Sequence, residues 1–244
     1  MVNNLDEFII EYQRIQRAGW IPTHRSGNTG IGKTLEDLLG IDENNIQGPD
    51  FGVYELKAGR KNSNSMLTLF TKSPLPKGSN TALRLNYGYS SSTYDNDEKV
   101  LHSTLNALAY TRIANTGHSL KVDYLIANDG SSDVIEIVSE NGPCNAYWYV
   151  EDLRENFMSK YPYELVYAKA LSRGHGASEE FKFEEAYVCD NFSYEGLISL
   201  LRAGRIYVDL RIGQYPDGRT HDHGTGFRIR EEDEDALFTK HRIC

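Results

Sequence analysis

The sequence predicts a mixed fold, α+β or α/β, from three observations. Apolar residues recur at helical spacing near the N-terminus, short apolar runs of strand length recur between residues 51 and 212, and helix-like segments interrupt the later runs. Leu5, Phe8, Ile9, Tyr12 and Ile15 mark one face of a first helix, with Asn4 and Glu7 as a capping box and Gly19 as a left-handed stop. A glycine-rich turn, residues 27–32, precedes a short helix over 33–39 closed by Gly40. After Gly48 and Pro49, two extended runs over 51–58 and 66–71 read as adjacent strands. Residues 73–100 are rich in Pro, Gly, Ser and Asn and read as a long loop near the substrate. Strand-like runs follow at 122–127, 134–138, 146–150, 165–171, 183–189 and 206–212, with helical segments around 151–158 and 194–203. The acidic run 231–235 reads as a solvated loop or helix start.

With 244 residues the chain can bury a real core, as one large domain or two interlocked lobes. No apolar run approaches the roughly 18 residues of a membrane span, so no membrane partner is expected. The first residues lack the basic and apolar regions of a secretory signal. Cys144, Cys189 and Cys244 are odd in number and far apart, which argues against a disulfide framework or a zinc knot and for a cytoplasmic location. The net charge of −9 opposes phosphate binding if read as an average. Its distribution does not. Residues 44–90 hold six basic residues against only Asp50 and Glu55, and residues 201–230 hold six arginines against three aspartates, whereas residues 91–200 are strongly acidic. Two basic islands on an acidic body suit local grip on a polyanion.

In the first island Pro49 and Asp50 are followed, after four residues, by Glu55, Leu56 and Lys57. Side chains alternate along a strand, so Glu55 and Lys57 share a face while Tyr54 and Leu56 turn toward packing. Asp50 sits at the strand entrance, where a bend can bring its carboxylate beside Glu55. Two hard oxygen donors suit Mg²⁺, and Lys57 can orient a water or offset charge on phosphorus. Acid-x-Lys alone is weak, because Asp97 with Lys99 and Glu180 with Lys182 also match. The bland alternative is an ion pair on an exposed strand.

Residues 27–34, Gly-Asn-Thr-Gly-Ile-Gly-Lys-Thr, match the phosphate-loop pattern literally, which makes a nucleotide-hydrolysing ATPase or GTPase the rival. That loop requires an apolar strand feeding the turn, and here the feeder contains Pro22, His24 and Arg25. Asp209, after Ile206, Tyr207 and Val208, could still supply the rival's carboxylate. The milder reading lets the turn approach a DNA phosphate with Lys33 nearby, and Glu36 could be a third acid at the metal or a solvated helix residue.

In the second island Arg211, Arg219, Arg228 and Arg230 interleave with His221, Asp222 and His223 in a glycine-rich loop between strand-like runs. Arginine matches guanine bidentately, and an acid accepts from cytosine, so the set suits a G·C-rich duplex. His221 and His223 could instead hold a metal, or the loop could be structural. A non-catalytic DNA-binding module is the remaining class.

Four ordered segments together resemble the MvaI/BcnI family of type II restriction endonucleases, relatives of a mismatch-repair nicking enzyme. They are the turn and helix 27–39, the stretch from Pro49 to Lys57, the stretch 67–74, and the stretch from Thr220 through Thr225 to Ile229. The stretch from about 90 to 200 carries no recognisable motif. The resemblance implies a restriction-endonuclease-like PD-(D/E)xK core, with a mainly catalytic lobe over 1–145 and a mainly DNA-recognition lobe over 146–244. It implies catalysis by Asp50, Glu55 and Lys57 with Glu36 as accessory acid, and Mg²⁺ on Asp50 and Glu55. It further implies double-stranded DNA as partner, action as a monomer and no nucleotide cofactor. Lys33, Lys61 and Lys72 are expected on phosphates, and Arg211, Arg219, His221, Asp222, His223, Thr225, Arg228 and Arg230 at the recognition surface. The wording of the glycine turn and of the Thr220 to Gly224 motif is closer to the MvaI branch, whose target is CCWGG, than to the BcnI branch, whose target is CCSGG.

Overall fold

Asp50 and Glu55 are separated by a tight turn rather than by continuous strand. Tyr54 N donates to Phe51 O at 2.8 Å, and Asp50 N and Phe51 N donate to Tyr54 O at 2.9 and 3.2 Å. Gly52 takes φ 53° there, and an added Cβ would lie 2.9 Å from Asn3 O, so glycine suits both the turn and the close approach. The strand itself is Glu55–Arg60. These features come from a computed structural model that describes residues 2–41, 49–61, 65–90, 99–127, 132–161, 164–215, 217–222 and 224–244.

The chain forms two units, and each is discontinuous in sequence. Residues 1–66, 160–193 and 237–244 make one, and residues 67–159 and 194–236 make the other. Each unit draws chain from both sides of 145/146, in keeping with interlocked lobes. The hairpin of Leu165–Arg173 and Glu180–Asp190 joins the first unit because Leu165–Arg173 pairs in parallel with Glu55–Arg60, placing Leu165 opposite Glu55 and Tyr167 opposite Lys57. Such long-range pairing leaves no mark in local sequence.

In the first unit the sheet order is Ile21–Pro22, Glu180–Asp190, Leu165–Arg173, Glu55–Arg60, with Thr239–Arg242 pairing Glu180–Asp190. Leu56, Val166, Ala168, Ala186 and Val188 pack with Phe8, Tyr12, Ile15, Ile31, Leu35 and Leu39 in one core. The latter six lie on the helices Leu5–Ala18 and Gly30–Leu39. Alternation then puts Glu55 and Lys57 on the sheet's other face. The first helix starts as expected, with Glu7 N donating to Asn4 Oδ1 at 2.9 Å, although Glu7 Oε2 accepts from Asn3 N at 2.8 Å instead of completing the box on Asn4. The second begins at Gly30, three residues earlier than expected, where Thr34 Oγ1 donates to Gly30 O at 2.7 Å.

The second unit holds a six-stranded and a four-stranded sheet. The six-stranded order is Leu67–Thr71, Gly226–Ile229, Ile206–Gln214, Lys99–Leu105, Tyr89–Ser90, with Thr220–Asp222 on Ile206–Gln214. Leu67–Thr71 is thus not the neighbour of Glu55–Arg60. Both runs are apolar, and composition cannot say which distant strand completes each one. Thr111–Arg112, Ser119–Leu125, Val134–Ser139 and Gly142–Tyr149 form an antiparallel meander. The expected long loop 73–100 contains the helix Ser79–Tyr87, nucleated where Pro76 O accepts from Ser79 N at 3.0 Å and Ser79 Oγ at 2.6 Å. Residues 91–98 of that stretch lie outside the described residues. The acidic run is not solvated throughout. It forms a 3₁₀ turn, Glu231–Ala236, in which Asp233 and Glu234 are buried and Asp233 is ion-paired with Arg205. Among the described residues no helix is long and apolar enough to cross a membrane.

Candidate active site

The turn at Phe51–Tyr54 folds Asp50 back onto the first peptides of its strand, where Asp50 Oδ2 accepts from Leu56 N at 2.7 Å. The residue is exposed as a whole, but its carboxyl group is turned inward. Burial raises its pKa above the ordinary aspartate value, the Leu56 N–H opposes the rise, and the neighbouring Glu55 charge adds to it. Glu55 Oε1 accepts from Lys57 Nζ at 2.9 Å. Two carboxylates and one lysine are thus brought together from within eight residues of sequence, as the spacing predicts.

Sequence reasoning missed Lys160, the last residue of the helix Val150–Lys160, whose Nζ lies 3.5 Å from the same Glu55 oxygen. It also missed Tyr161, buried and stacked on Phe192 with ring centroids 4.4 Å apart. Burial and then the Glu55 charge push the Tyr161 phenol well above its ordinary pKa. Neither residue has a spacing signal linking it to Glu55, more than 100 positions away.

Glu36 is half-buried on the helix Gly30–Leu39, which packs on the Glu55–Arg60 strand, and its Oε1 lies over Gly32 of its own helix. Among the described residues no group of three or more His, Cys, Asp or Glu forms a metal cage. Asp50 and Glu55 remain a pair, which is enough protein for a cation that keeps several waters. The like-charged carboxylates held together, with ammonium groups already on one of them, are a donor set that fits a hard divalent cation.

The phosphate-loop look-alike is tied into the fold. Thr34 is fully buried, and its hydroxyl donates to Gly30 O and accepts from His24 N at 3.0 Å. Lys33 Nζ is 2.7 Å from Asp37 Oδ1, and Asp37 Oδ2 is 2.9 Å from His24 Nδ1. The carbonyls of Gly27 and Asn28 accept from Arg60, which also makes a two-pronged ion pair with Glu179 at 2.7 and 2.8 Å. Of the other expected phosphate contacts, Lys61 Nζ pairs with Glu184 and Glu185 at 3.3 and 3.0 Å. Lys72 has a half-buried side chain with no ion pair among the described residues, while its backbone N donates to Thr225 O at 2.9 Å and its O accepts from Trp148 Nε1 at 2.8 Å.

In the second unit, Ile206, Val208, Leu210 and Ile212 fill the core and leave Tyr207, Asp209 and Arg211 on the opposite face of their strand. Asp209 is buried and accepts from Thr104 Oγ1 at 2.7 Å, Arg211 Nε at 2.9 Å and Arg228 Nη1 at 2.8 Å. The carboxylate considered for the rival's metal therefore orients two arginines. Arg230 lies over the Tyr207 ring, 5.0 Å from its centroid. Asp222 braces the loop: Oδ2 accepts from Ser73 Oγ at 3.0 Å and from Asn80 Nδ2, and Oδ1 accepts from Gly224 N at 2.9 Å. His221 sits against Tyr215 with ring centroids 4.4 Å apart, Thr225 is fully buried, and Arg219 is largely exposed and paired with Asp217 at 2.8 Å. His223 lies outside the described residues.

The sequence profile described as the MvaI/BcnI restriction endonuclease family matches residues 9–238. Among solved structures, the chain is 31% identical to a restriction endonuclease MvaI complex with cognate DNA, covering 100% of both chains with a TM-score of 0.83. To restriction endonuclease MvaI in the absence of DNA it is 30% identical, covering 100% of this chain and 99% of that one with a TM-score of 0.56. No curated protein sequence matches it.

Proposed function

The chain belongs to the MvaI/BcnI restriction endonuclease family and is a type II site-specific endonuclease acting on DNA; on that premise we propose that it hydrolyses double-stranded DNA with Mg²⁺ held by Asp50 and Glu55. The observation that carries this reading is the return of Asp50 onto Leu56 N, beside a Glu55 already bonded to Lys57. When bound, the ion acidifies a water and offsets charge at phosphorus. The protein's own groups then have distinct tasks. The Leu56 N–H fixes one Asp50 oxygen and so aims the other. Lys57, two positions beyond Glu55 on the same face, orients the attacking water and steadies the phosphoryl oxygen. Glu36 serves as an accessory acid from the adjoining helix.

Arg211 and Arg228, set by Asp209, read base edges, while Lys72 is the best placed of the three lysines for a phosphate, because Lys33 and Lys61 are held by carboxylates. The target is short and G·C-rich, CCWGG-like ahead of CCSGG-like, on the wording of the two motifs shared with the MvaI branch. The enzyme acts as a monomer and without nucleotide; the buried Thr34 hydroxyl and the Lys33–Asp37 pair support the absence of a nucleotide site. Incubation of the purified protein with plasmid DNA and Mg²⁺, followed by sequencing of the ends, should give discrete fragments sharing one site. Random nicking, or cutting only with ATP, would contradict it.

A further inference from the structure

Glu55 Oε1 receives two ammonium groups from different elements. Lys57 reaches it at 2.9 Å along the same strand, and Lys160 reaches it at 3.5 Å from a helix end. Asp50 in turn feels Glu55 as a like charge and both lysines as opposite ones, so the four groups form one balanced cluster. Exposure distinguishes the lysines. The Glu55 side chain is 12% exposed, Lys57 23% and Lys160 47%, so Lys160 approaches the carboxylate from the solvent side. On the buried side Tyr161, backed by Phe192, feels the Glu55 charge.

A carboxylate oxygen that accepts a divalent cation cannot keep two ammonium partners on the same atom without strong repulsion. Lys57 is the closer and less exposed of the two, at 2.9 Å and 23% against 3.5 Å and 47%, so Lys160 is the one more readily displaced. Lys160 has a flexible four-carbon stem at a helix terminus and can move to the nearest other anion. In a loaded nuclease that anion is the phosphodiester. We propose that Lys160 is a second active-site cation, neutralising Glu55 in the metal-free protein and moving its ammonium to the phosphodiester once the carboxylate takes a divalent cation. This rests on the assignment of Asp50 and Glu55 to the metal. A lysine whose side chain is 47% exposed contributes little to folding through one ion pair, so its replacement leaves the protein intact.

The test compares wild type, Lys160→Met, Lys160→Arg and Asp50→Asn by calorimetric titration of the DNA-free protein with Mn²⁺, by single-turnover cleavage at saturating Mg²⁺, and by thermal unfolding. Lys160→Met should bind Mn²⁺ about two- to five-fold tighter, because a competing ammonium is gone. It should cleave on the order of tenfold or more slowly, because a cation at the phosphate is gone. Lys160→Arg should recover most of the rate, and both variants should melt with wild type. Asp50→Asn should lose Mn²⁺ binding. If Asp50→Asn binds Mn²⁺ as wild type does, the metal assignment fails and takes this proposal with it. If Asp50→Asn loses Mn²⁺ but Lys160→Met matches wild type in Mn²⁺ affinity or in cleavage rate, the role of Lys160 alone is overturned.

Discussion

Arg228 and Arg211 are bonded to the same atom, Oδ2 of Asp209, at 2.8 and 2.9 Å. A buried carboxylate that also holds Thr104 fixes both side chains on one face of the six-stranded sheet before any ligand arrives, which lowers the entropy lost when an arginine engages a base. Arg211→Ala and Arg228→Ala should each narrow the gap between cognate and singly substituted duplexes by about 1–3 kcal/mol in Ca²⁺. Asp209→Asn should keep the fold and lose part of the same discrimination. Uniform weakening, with the cognate ratio unchanged in all three, would place base reading elsewhere.

Lys72 should behave differently. Its ammonium has no ion pair among the described residues, so Lys72→Ala should weaken all duplexes alike and flatten the dependence of log K on log salt by about one unit. Binding at several salt concentrations measures both quantities, and a change confined to cognate DNA would mark Lys72 as a base reader.

Lys61 is tied to two carboxylates, those of Glu184 and Glu185. Its pairing with Glu185 and Glu184 raises the Lys61 pKa, and the same bond, helped by Tyr187, lowers that of Glu185. A depressed carboxylate stabilises above its ordinary value and loses the effect as pH falls through its folded value. A raised lysine stabilises below its ordinary value and loses the effect as pH rises through its folded value. The contribution is therefore full between 4.5 and 10.5. Lys61→Met should lower the melting temperature modestly at pH 7, and the deficit should shrink as the buffer is taken below the ordinary carboxylate range. A deficit that persists unchanged in acid would mean that lost packing, rather than charge, is responsible.

The glycine turn should bind no nucleotide. Calorimetry with Mg²⁺-ATP should show no saturable heat, whereas Thr34→Val, which removes both hydrogen bonds of a buried hydroxyl, should cost about 1–3 kcal/mol of stability. Micromolar ATP binding would restore the phosphate-loop reading.

Local chemistry made much of this legible in advance. The first helix, the Gly40 stop, the later apolar runs and the grouping of Asp50, Glu55 and Lys57 all depend on residues close in sequence, where periodicity and turn residues carry the information. Lys160 at Glu55, Asp209 beneath Arg228, and the parallel pairing of Glu55–Arg60 with Leu165–Arg173 depend on contacts between residues 19 to more than 100 positions apart. The helix Ser79–Tyr87 was hidden by a composition of loop-forming residues. Its Leu83 and Arg84 become buried only against the folded unit.

The most direct measurement is single-turnover cleavage of a cognate duplex with Mg²⁺ by wild type, Asp50→Ala and Lys57→Ala, beside binding of the same duplex in Ca²⁺. Both variants should lose cleavage by at least about a hundredfold while keeping specific binding largely intact, because they remove groups aimed at the reacting phosphate rather than at bases. Wild-type-like cutting by either variant would contradict the assignment of the active site to Asp50, Glu55 and Lys57.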